Sequence, residues 1–214
     1  EEYPQSEETQ FHPVSPYGVA KLYAFWIIKT YREAYNMFAA NGILFNHESP
    51  RRGENFVSKK ITQSLARVKL GLQDKLVLGN LDAKRDWGYA REYVEAMWLM
   101  LQRKEAEDFV IGTGKTHTVR EFVECSCDCY DMNLEWVGSG KSEIGVDNKT
   151  GKTIVELDNR YLRPTEVHLL QADITKAKEK LCWVPKVSFE ELVKVMCDFD
   201  LERIQKGQEE IIID

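Results

Sequence analysis

Three short runs constrain the fold most: Gly42-Ile43-Leu44-Phe45, Lys75–Gly79 and Asp108–Gly112. Each is too short for a helix and carries apolar residues at successive positions. That pattern buries both faces of a strand, as in a parallel sheet covered by helices. Segments of helical period surround them. Ser15-Pro16 opens one helix from about Tyr17 to Tyr35, with Pro16 in the first turn, where a missing N–H costs little. Val57, Ile61, Leu65 and Val68 mark a second helix over Phe56–Leu70. Others are expected over Tyr89–Leu101, Val119–Tyr130, Thr175–Leu181 and Phe189 to about Gln205, with strands near Leu134–Val137 and Thr153–Leu157. Residues 1–16 read as an irregular, Pro-punctuated loop, and residues 138–153, rich in Gly, Ser and Lys, as an exposed loop. No internal repeat is present. Helices alternating with short buried strands give an α/β class.

The 214 residues suffice for one sizeable core, or for one domain plus part of another. A net charge of -6 is a poor match for non-specific nucleic-acid binding, which needs Lys and Arg against phosphates. No apolar run approaches the roughly 20 residues of a membrane span. The acidic start, Glu1-Glu2-Tyr3-Pro4-Gln5-Ser6-Glu7-Glu8, has neither an apolar core nor an initiator Met, so it is expected to be a truncation and not a signal peptide. The five cysteines are an odd count with no secretory signal, which argues against a disulfide framework and for reduced thiols in a cytoplasmic protein. Cys125, Cys127 and Cys129, two apart on a helix, are expected to fan around it without converging, so no metal site is expected. His12, His117 and His168 show no ligand spacing and read as structural. Tyr23, Phe25, Trp26 and Tyr31 read as helix core.

Tyr17-Gly18-Val19-Ala20-Lys21 carries the first chemistry. At i and i+4 of a helix the phenol and the ammonium project from one face. A phenol is ordinarily a poor base at neutral pH. An adjacent cation favours the phenolate. Such a pair can take the proton of a substrate hydroxyl while hydride leaves for a nicotinamide. A Tyr-x-x-x-Lys spacing also arises by chance, so its context matters.

Ser15-Pro16-Tyr17-Gly18-Val19-Ala20-Lys21 resembles the active-site helix of the extended short-chain dehydrogenase/reductases. Gly42-Ile43-Leu44-Phe45-Asn46-His47-Glu48-Ser49-Pro50-Arg51-Arg52-Gly53 resembles one branch of them, the GDP-mannose 4,6-dehydratases. Arg85-Asp86-Trp87-Gly88, Arg163-Pro164-Thr165-Glu166-Val167 and Lys176-Ala177-Lys178-Glu179-Lys180-Leu181-Cys182-Trp183 match that branch in order, with Cys182 where the family usually has Gly. Gly18 stands where Ala is usual. The likeness covers nearly the whole chain and is weakest at residues 125–160.

The resemblance implies the carboxy-terminal part of an NAD(P)-binding Rossmann-like domain, residues 1–48 and 84–115, plus a smaller α/β substrate domain, residues 49–83 and 116–214. It implies NADP as cofactor, GDP-mannose as substrate, and a homo-oligomer, dimer or tetramer. Tyr17 would be the base at the sugar 4-hydroxyl, and Lys21 would bind the nicotinamide ribose. His47 and Arg52 would contact the cofactor, and Asn46 the nucleotide-sugar. Lys60, Arg85, Arg163 and Glu166 would hold the GDP part, the arginines on the diphosphate and Glu166 on the ribose. Guanidinium forks suit phosphate oxygens, and a carboxylate suits a diol. Each has a bland alternative. Asn46 and His47 end a strand and can cap a loop. Arg51 and Arg52 can be a solvated pair. Lys59 and Lys60 are adjacent on a helix, so at most one points inward. Arg85 with Asp86, and Arg163 with Glu166, can be local ion pairs.

The implied reaction is oxidation at C4, loss of water across C5–C6, and return of hydride to C6, giving GDP-4-keto-6-deoxymannose for GDP-fucose and related deoxysugars. The family takes its C5 and C6 acid/base groups from a Thr-Ser-Glu segment ahead of the Ser-Pro-Tyr helix. This chain contains neither that segment nor a glycine-rich turn after a strand of the kind that cradles a dinucleotide pyrophosphate. The 214-residue chain alone is therefore expected to be inactive. Rival readings are another nucleotide-sugar epimerase or dehydratase of the superfamily, or an inactive nucleotide-sugar-binding module.

Overall fold

A computed structural model describes residues 2–162, 167 and 169–208. It is an α/β protein, as the alternation of elements requires, and packs as two compact units. Unit 1 comprises Glu1–His47, Lys84–Thr116 and Pro164–Val187; unit 2 comprises Glu48–Ala83, His117–Arg163 and Ser188–Asp214.

In unit 1 the first and third apolar runs pair as parallel strands, Gly42–Leu44 with Phe109–Ile111, in the register Gly42↔Phe109, Ile43↔Val110, Leu44↔Ile111. The ladder continues past the strand ends, where Phe45 N donates to Ile111 O at 2.9 Å and Phe109 N to Asn41 O at 2.9 Å. Helices Ala90–Leu101 and Thr175–Leu181 pack on Phe109 and Ile111 through Tyr93, Ala96, Met100, Ala177, Leu181 and Trp183. Those side chains supply the apolar burial that stabilises the unit. Helix Pro16–Tyr35 is capped as its sequence predicts: Gly18 N donates to Ser15 Oγ at 3.0 Å, Pro16 sits in the first turn, and Asn36 closes the end in the left-handed region. Its last turn is fixed by Arg32, whose fork meets Asp108 at 2.8 and 2.9 Å. Burial alone would raise the Asp108 carboxyl, but the Arg32 fork and the Asn41 amide outweigh it and hold its pKa below the ordinary value.

Two expectations change in unit 1. The sequence reading kept residues 116–214 together, whereas Pro164–Val187 groups with unit 1. The reason is backbone pairing, with Gln5 N donating to Gln171 O at 2.7 Å and Asp173 N to Gln5 O at 2.7 Å, joined by a side-chain bond from Lys176 Nζ to Asp108 O at 2.8 Å. The aromatic side chains of helix Pro16–Tyr35 were expected in a core, yet no residue of that helix is buried, and Tyr23, Trp26 and Tyr31 are exposed. Phe25 is half-buried and packs on Phe11 with ring centroids 4.7 Å apart, while the other three rings stay exposed.

Unit 2 holds a four-stranded sheet in the order Leu76–Leu78, Lys152–Leu157, Ile144–Asp147, Leu134–Val137. The first pair is parallel and the other two antiparallel. Helices Val57–Lys69, Val119–Cys129 and Phe189–Gln205 pack together around Ile61, Leu65, Phe122, Val123, Leu192 and Met196. Thr118 with Glu121, and Ser188 with Glu191, form reciprocal caps on the last two helices. Lys59 is fully buried and ion-paired with Asp200, which also accepts from Thr62 Oγ1 at 2.6 Å.

The exposed loop expected over residues 138–153 contains a strand instead, Ile144–Asp147. Its inward residues are Gly145 and Asp147, which look like loop residues in sequence. A Cβ at Gly145 would lie 2.7 Å from Leu134 Cδ1 and 3.0 Å from Val155 Cβ, so only glycine lets the neighbouring strands close. Buried Asp147 accepts from Asn133 N at 2.9 Å and Thr150 Oγ1 at 2.8 Å, which fixes the following turn.

Cys182 explains one departure from the resembled family. It ends helix Thr175–Leu181 with φ 52 and ψ 30, the left-handed conformation in which glycine is favoured. A Cβ there costs about 1–2 kcal/mol. Cys182→Gly is therefore expected to stabilise the fold by about 1 kcal/mol. Chemical denaturation followed by circular dichroism checks this, and an unchanged or lower midpoint counts against the strain.

Candidate functional site

Unit 1 carries the phenol–ammonium pair. Tyr17 and Lys21 lie one turn apart on a helix that presents both to solvent. The Lys21 Nζ stands 5.7 Å from the Tyr17 ring centroid. The Ser15 cap and Pro16 fix the backbone directly under Tyr17, so the first turn presents the phenol without fraying. The phenol is 72% exposed, which leaves its hydroxyl open to a substrate.

The strand Gly42–Leu44 leads into Asn46 and His47. The His47 Nδ1 lies 2.8 Å from Phe45 O; with Nδ1 donating there, Nε2 is the free acceptor. The ring also packs 5.0 Å from the buried Tyr93 ring, and the Tyr93 hydroxyl donates to Asn46 O at 3.4 Å. Gly88 makes this possible. A Cβ at that position would fall 2.5 Å from the Tyr93 ring. Arg85 follows the same segment and donates to Lys84 O at 2.8 Å. Its neighbour Asp86 is fully buried and accepts from Thr113 N at 2.8 Å, Gly114 N at 2.8 Å and Ala172 N at 3.1 Å. Arg85 and Asp86 thus do different work: the carboxylate is committed to backbone amides inside the unit.

Unit 2 carries Arg52 and Lys60. The Arg52 guanidinium lies flat over the Phe56 ring at 3.5 Å, and its Nε is 3.1 Å from Glu48 Oε2. Glu48 is buried and also accepts from Ser58 Oγ. A cation over a ring and beside a buried carboxylate suits an anionic partner. On helix Val57–Lys69 the two adjacent lysines diverge as expected: Lys59 turns into the core, with Nζ donating to Pro50 O at 2.9 Å, while Lys60 lies over the Tyr161 ring at 3.6 Å. Burial lowers the Lys60 pKa from its ordinary value. Arg163 and Glu166 lie outside the described residues, as does His168. His117 stacks on Phe189 at 3.9 Å.

Sequence reasoning missed the residues that hold these groups in place. Tyr93 under His47, Glu48 beside Arg52, and Asp86 beside Arg85 are all buried. Glu48 and Asp86 stand inside the motifs quoted above. Among the described residues no group of three or more His, Cys, Asp or Glu is placed to hold a metal ion, and no helix is long and apolar enough to cross a membrane.

Comparison with known proteins gives the family. The human GDP-mannose 4,6 dehydratase is 59% identical over 202 residues, which is 94% of this chain and 54% of the human protein. The Drosophila melanogaster GDP-mannose 4,6 dehydratase is 57% identical over 206 residues, covering 96% of this chain and 52% of its own length. The chain thus spans about half the length of these curated relatives. Among solved structures, RMD from Pseudomonas aeruginosa complexed with NADPH superposes with a TM-score of 0.76 at 20% identity, over 94% of this chain and 61% of that one. That likeness is one of fold. The family model described as GDP-mannose 4,6 dehydratase matches residues 1–196, and the chain belongs to that family.

Proposed function

We propose that the protein of which this chain forms part is an NADP-dependent GDP-mannose 4,6-dehydratase, a lyase that converts GDP-mannose to GDP-4-keto-6-deoxymannose. The observation that carries this reading is the Tyr17–Lys21 pair on one exposed helix face, 5.7 Å from ammonium to ring, in a chain of this family. The relatives' names support the substrate, and the NADPH held by the RMD structure supports the cofactor. The donor chemistry of the face fits the nicotinamide end of a dinucleotide, since an ammonium suits a ribose diol and a phenol stands beside it. When bound, the nicotinamide supplies the hydride acceptor and donor.

The chain's own residues then divide the remaining work. Tyr17 Oη takes the proton of the sugar 4-hydroxyl. Lys21, one turn along the same helix, donates to the ribose diol. His47, held through Nδ1, offers Nε2 to the cofactor, and Arg52 offers its guanidinium. Asn46 faces the nucleotide-sugar. Arg85 and Arg163 grip the diphosphate, Lys60 adds a partly desolvated cation, and Glu166 accepts from the ribose of the GDP. On this reading unit 1 carries the Tyr17–Lys21 pair and most of the cofactor contacts. A homo-oligomeric state and a cytoplasmic location belong to the same proposal.

In a protein of the family's full length, Tyr17→Phe is expected to abolish turnover and leave GDP-mannose binding nearly intact. Proton transfer by a positioned side chain contributes about 10²–10⁴-fold. Steady-state kinetics with calorimetry checks this, and a variant keeping more than roughly a tenth of wild-type kcat removes Tyr17 from the role. Nucleotide recognition has its own test. Arg85→Ala and Arg163→Ala are each expected to raise KM for GDP-mannose by about ten- to a hundredfold, as loss of a charge-assisted contact of about 1.5–3 kcal/mol requires. Wild-type KM in both variants moves the diphosphate elsewhere.

A further inference from the structure

A lysine inside unit 2 reaches two partners at once. Lys59 is 0% exposed and its ion-pair partner Asp200 3%, so both charges are out of water. The pair joins helix Val57–Lys69 to helix Phe189–Gln205. Asp200 also accepts from Thr62 Oγ1 at 2.6 Å, on the same turn as Lys59. The Tyr130 hydroxyl, at the end of helix Val119–Cys129, lies 2.9 Å from Thr62 O and 3.1 Å from Cys197 O, so the third helix is tied in at the same place. A further contact leaves the helical core: Lys59 Nζ also donates to Pro50 O at 2.9 Å.

That carbonyl belongs to the loop of residues 49–56, which carries Arg52. The loop's own bonds are local. Arg52 N donates to Ser49 O at 3.0 Å, Arg51 N to Ser49 Oγ at 3.1 Å and Phe56 N to Gly53 O at 3.1 Å. Turns of this kind bend the chain without fixing it to a core. Helix Val57–Lys69, which the loop enters, starts at Phe56 with no side-chain cap. Glu48, bonded to Ser58 Oγ, holds the strand before the loop, and Lys59 holds the loop itself, two residues ahead of Arg52. Stability alone is a weak reason for the pair, because a buried ion pair can often be replaced by apolar residues with no loss of stability. An apolar residue cannot donate to Pro50 O. The work specific to this pair is therefore at the loop.

We propose that Lys59 and Asp200 are positioning residues, which pin the Arg52 loop to the helical core of unit 2 so that the guanidinium is held in place for the dinucleotide. Asp200 orients the Lys59 ammonium from one side. The ammonium holds Pro50 O from the other, and Arg52 inherits a fixed backbone. Both residues are too deeply buried to touch a ligand themselves. They act through Arg52, as buried partners that lock a binding group do. The inference rests on the cofactor role proposed above for Arg52 and adds the device that sets that residue's place.

The double variant Lys59→Met/Asp200→Leu tests this in a protein of the family's full length. It removes both charges and keeps apolar bulk, so the core is not left with the uncompensated carboxylate that Lys59→Met alone would leave. It is expected to melt close to the wild type. Amide hydrogens in residues 49–56, read by mass spectrometry, are expected to exchange about tenfold faster, while helices Val57–Lys69 and Phe189–Gln205 exchange as before. NADP, titrated by calorimetry, is expected to bind about tenfold more weakly. In the wild-type protein, which needs no variant to fold, the bonded amides of residues 49–56 are expected to exchange about a hundredfold more slowly than in an unstructured peptide. Wild-type exchange at the unstructured rate, or unchanged loop exchange in the double variant, overturns the proposal. So does a variant that fails to fold or whose helices loosen with the loop, because the pair is then a core element only. Faster loop exchange with unchanged NADP affinity overturns it as well. A wild-type protein that binds no NADP removes the cofactor reading instead, and the exchange comparison still decides the tether.

Discussion

The buried carboxylate of Asp86 organises unit 1. It is the acceptor for three backbone amides and one hydroxyl: Thr113 N and Oγ1, Gly114 N and Ala172 N. These donors come from the turn that leaves strand Phe109–Ile111 and from the segment that leads into helix Thr175–Leu181. One side chain thus closes two loops that share no secondary structure. The approach is tight enough that Gly112 can have no side chain, since a Cβ there would meet Ala172 Cβ at 2.3 Å. A carboxylate accepting several N–H bonds is well solvated by the protein and needs no cation. Replacing it leaves buried amides without partners, each costing about 1–3 kcal/mol.

The same economy of placement runs through the candidate site. Three groups that would touch ligand are half-buried and stand against a buried group with no such role: His47 on Tyr93, Arg52 beside Glu48, Arg85 beside Asp86. Gly88 shows how closely the two layers are fitted, because its missing side chain is what admits the Tyr93 ring under His47. Orientation by a supporting layer of this kind is what precise catalytic geometry requires.

Much of this was legible in the residues. Apolar runs at Gly42 and Asp108 gave parallel strands, and Ser15-Pro16 gave a capped helix start, because local stereochemistry and burial on both faces leave few alternatives. The strand Ile144–Asp147 was hidden because its inward positions are Gly145 and Asp147, where burial serves close approach and turn capping and not apolar area. The exposure of Tyr23 and Trp26 was equally illegible, since apolar spacing marks a face but not what covers it. The roles of Tyr17, Lys21, Asn46, His47, Arg52, Lys60 and Arg85 came from motif resemblance, and spacing alone supplied only the Tyr17–Lys21 pair.

The proposed reaction, for the protein of which this chain forms part, moves hydrogen from C4 of a GDP-hexose to C6. Following deuterium tests it most directly. GDP-mannose labelled with deuterium at C4 is turned over by a protein of the family's full length, and the product is read by nuclear magnetic resonance. The account predicts a 4-keto-6-deoxy product with deuterium in its C6 methyl group. Deuterium retained at C4 of an epimerised sugar, or lost to solvent, would contradict it.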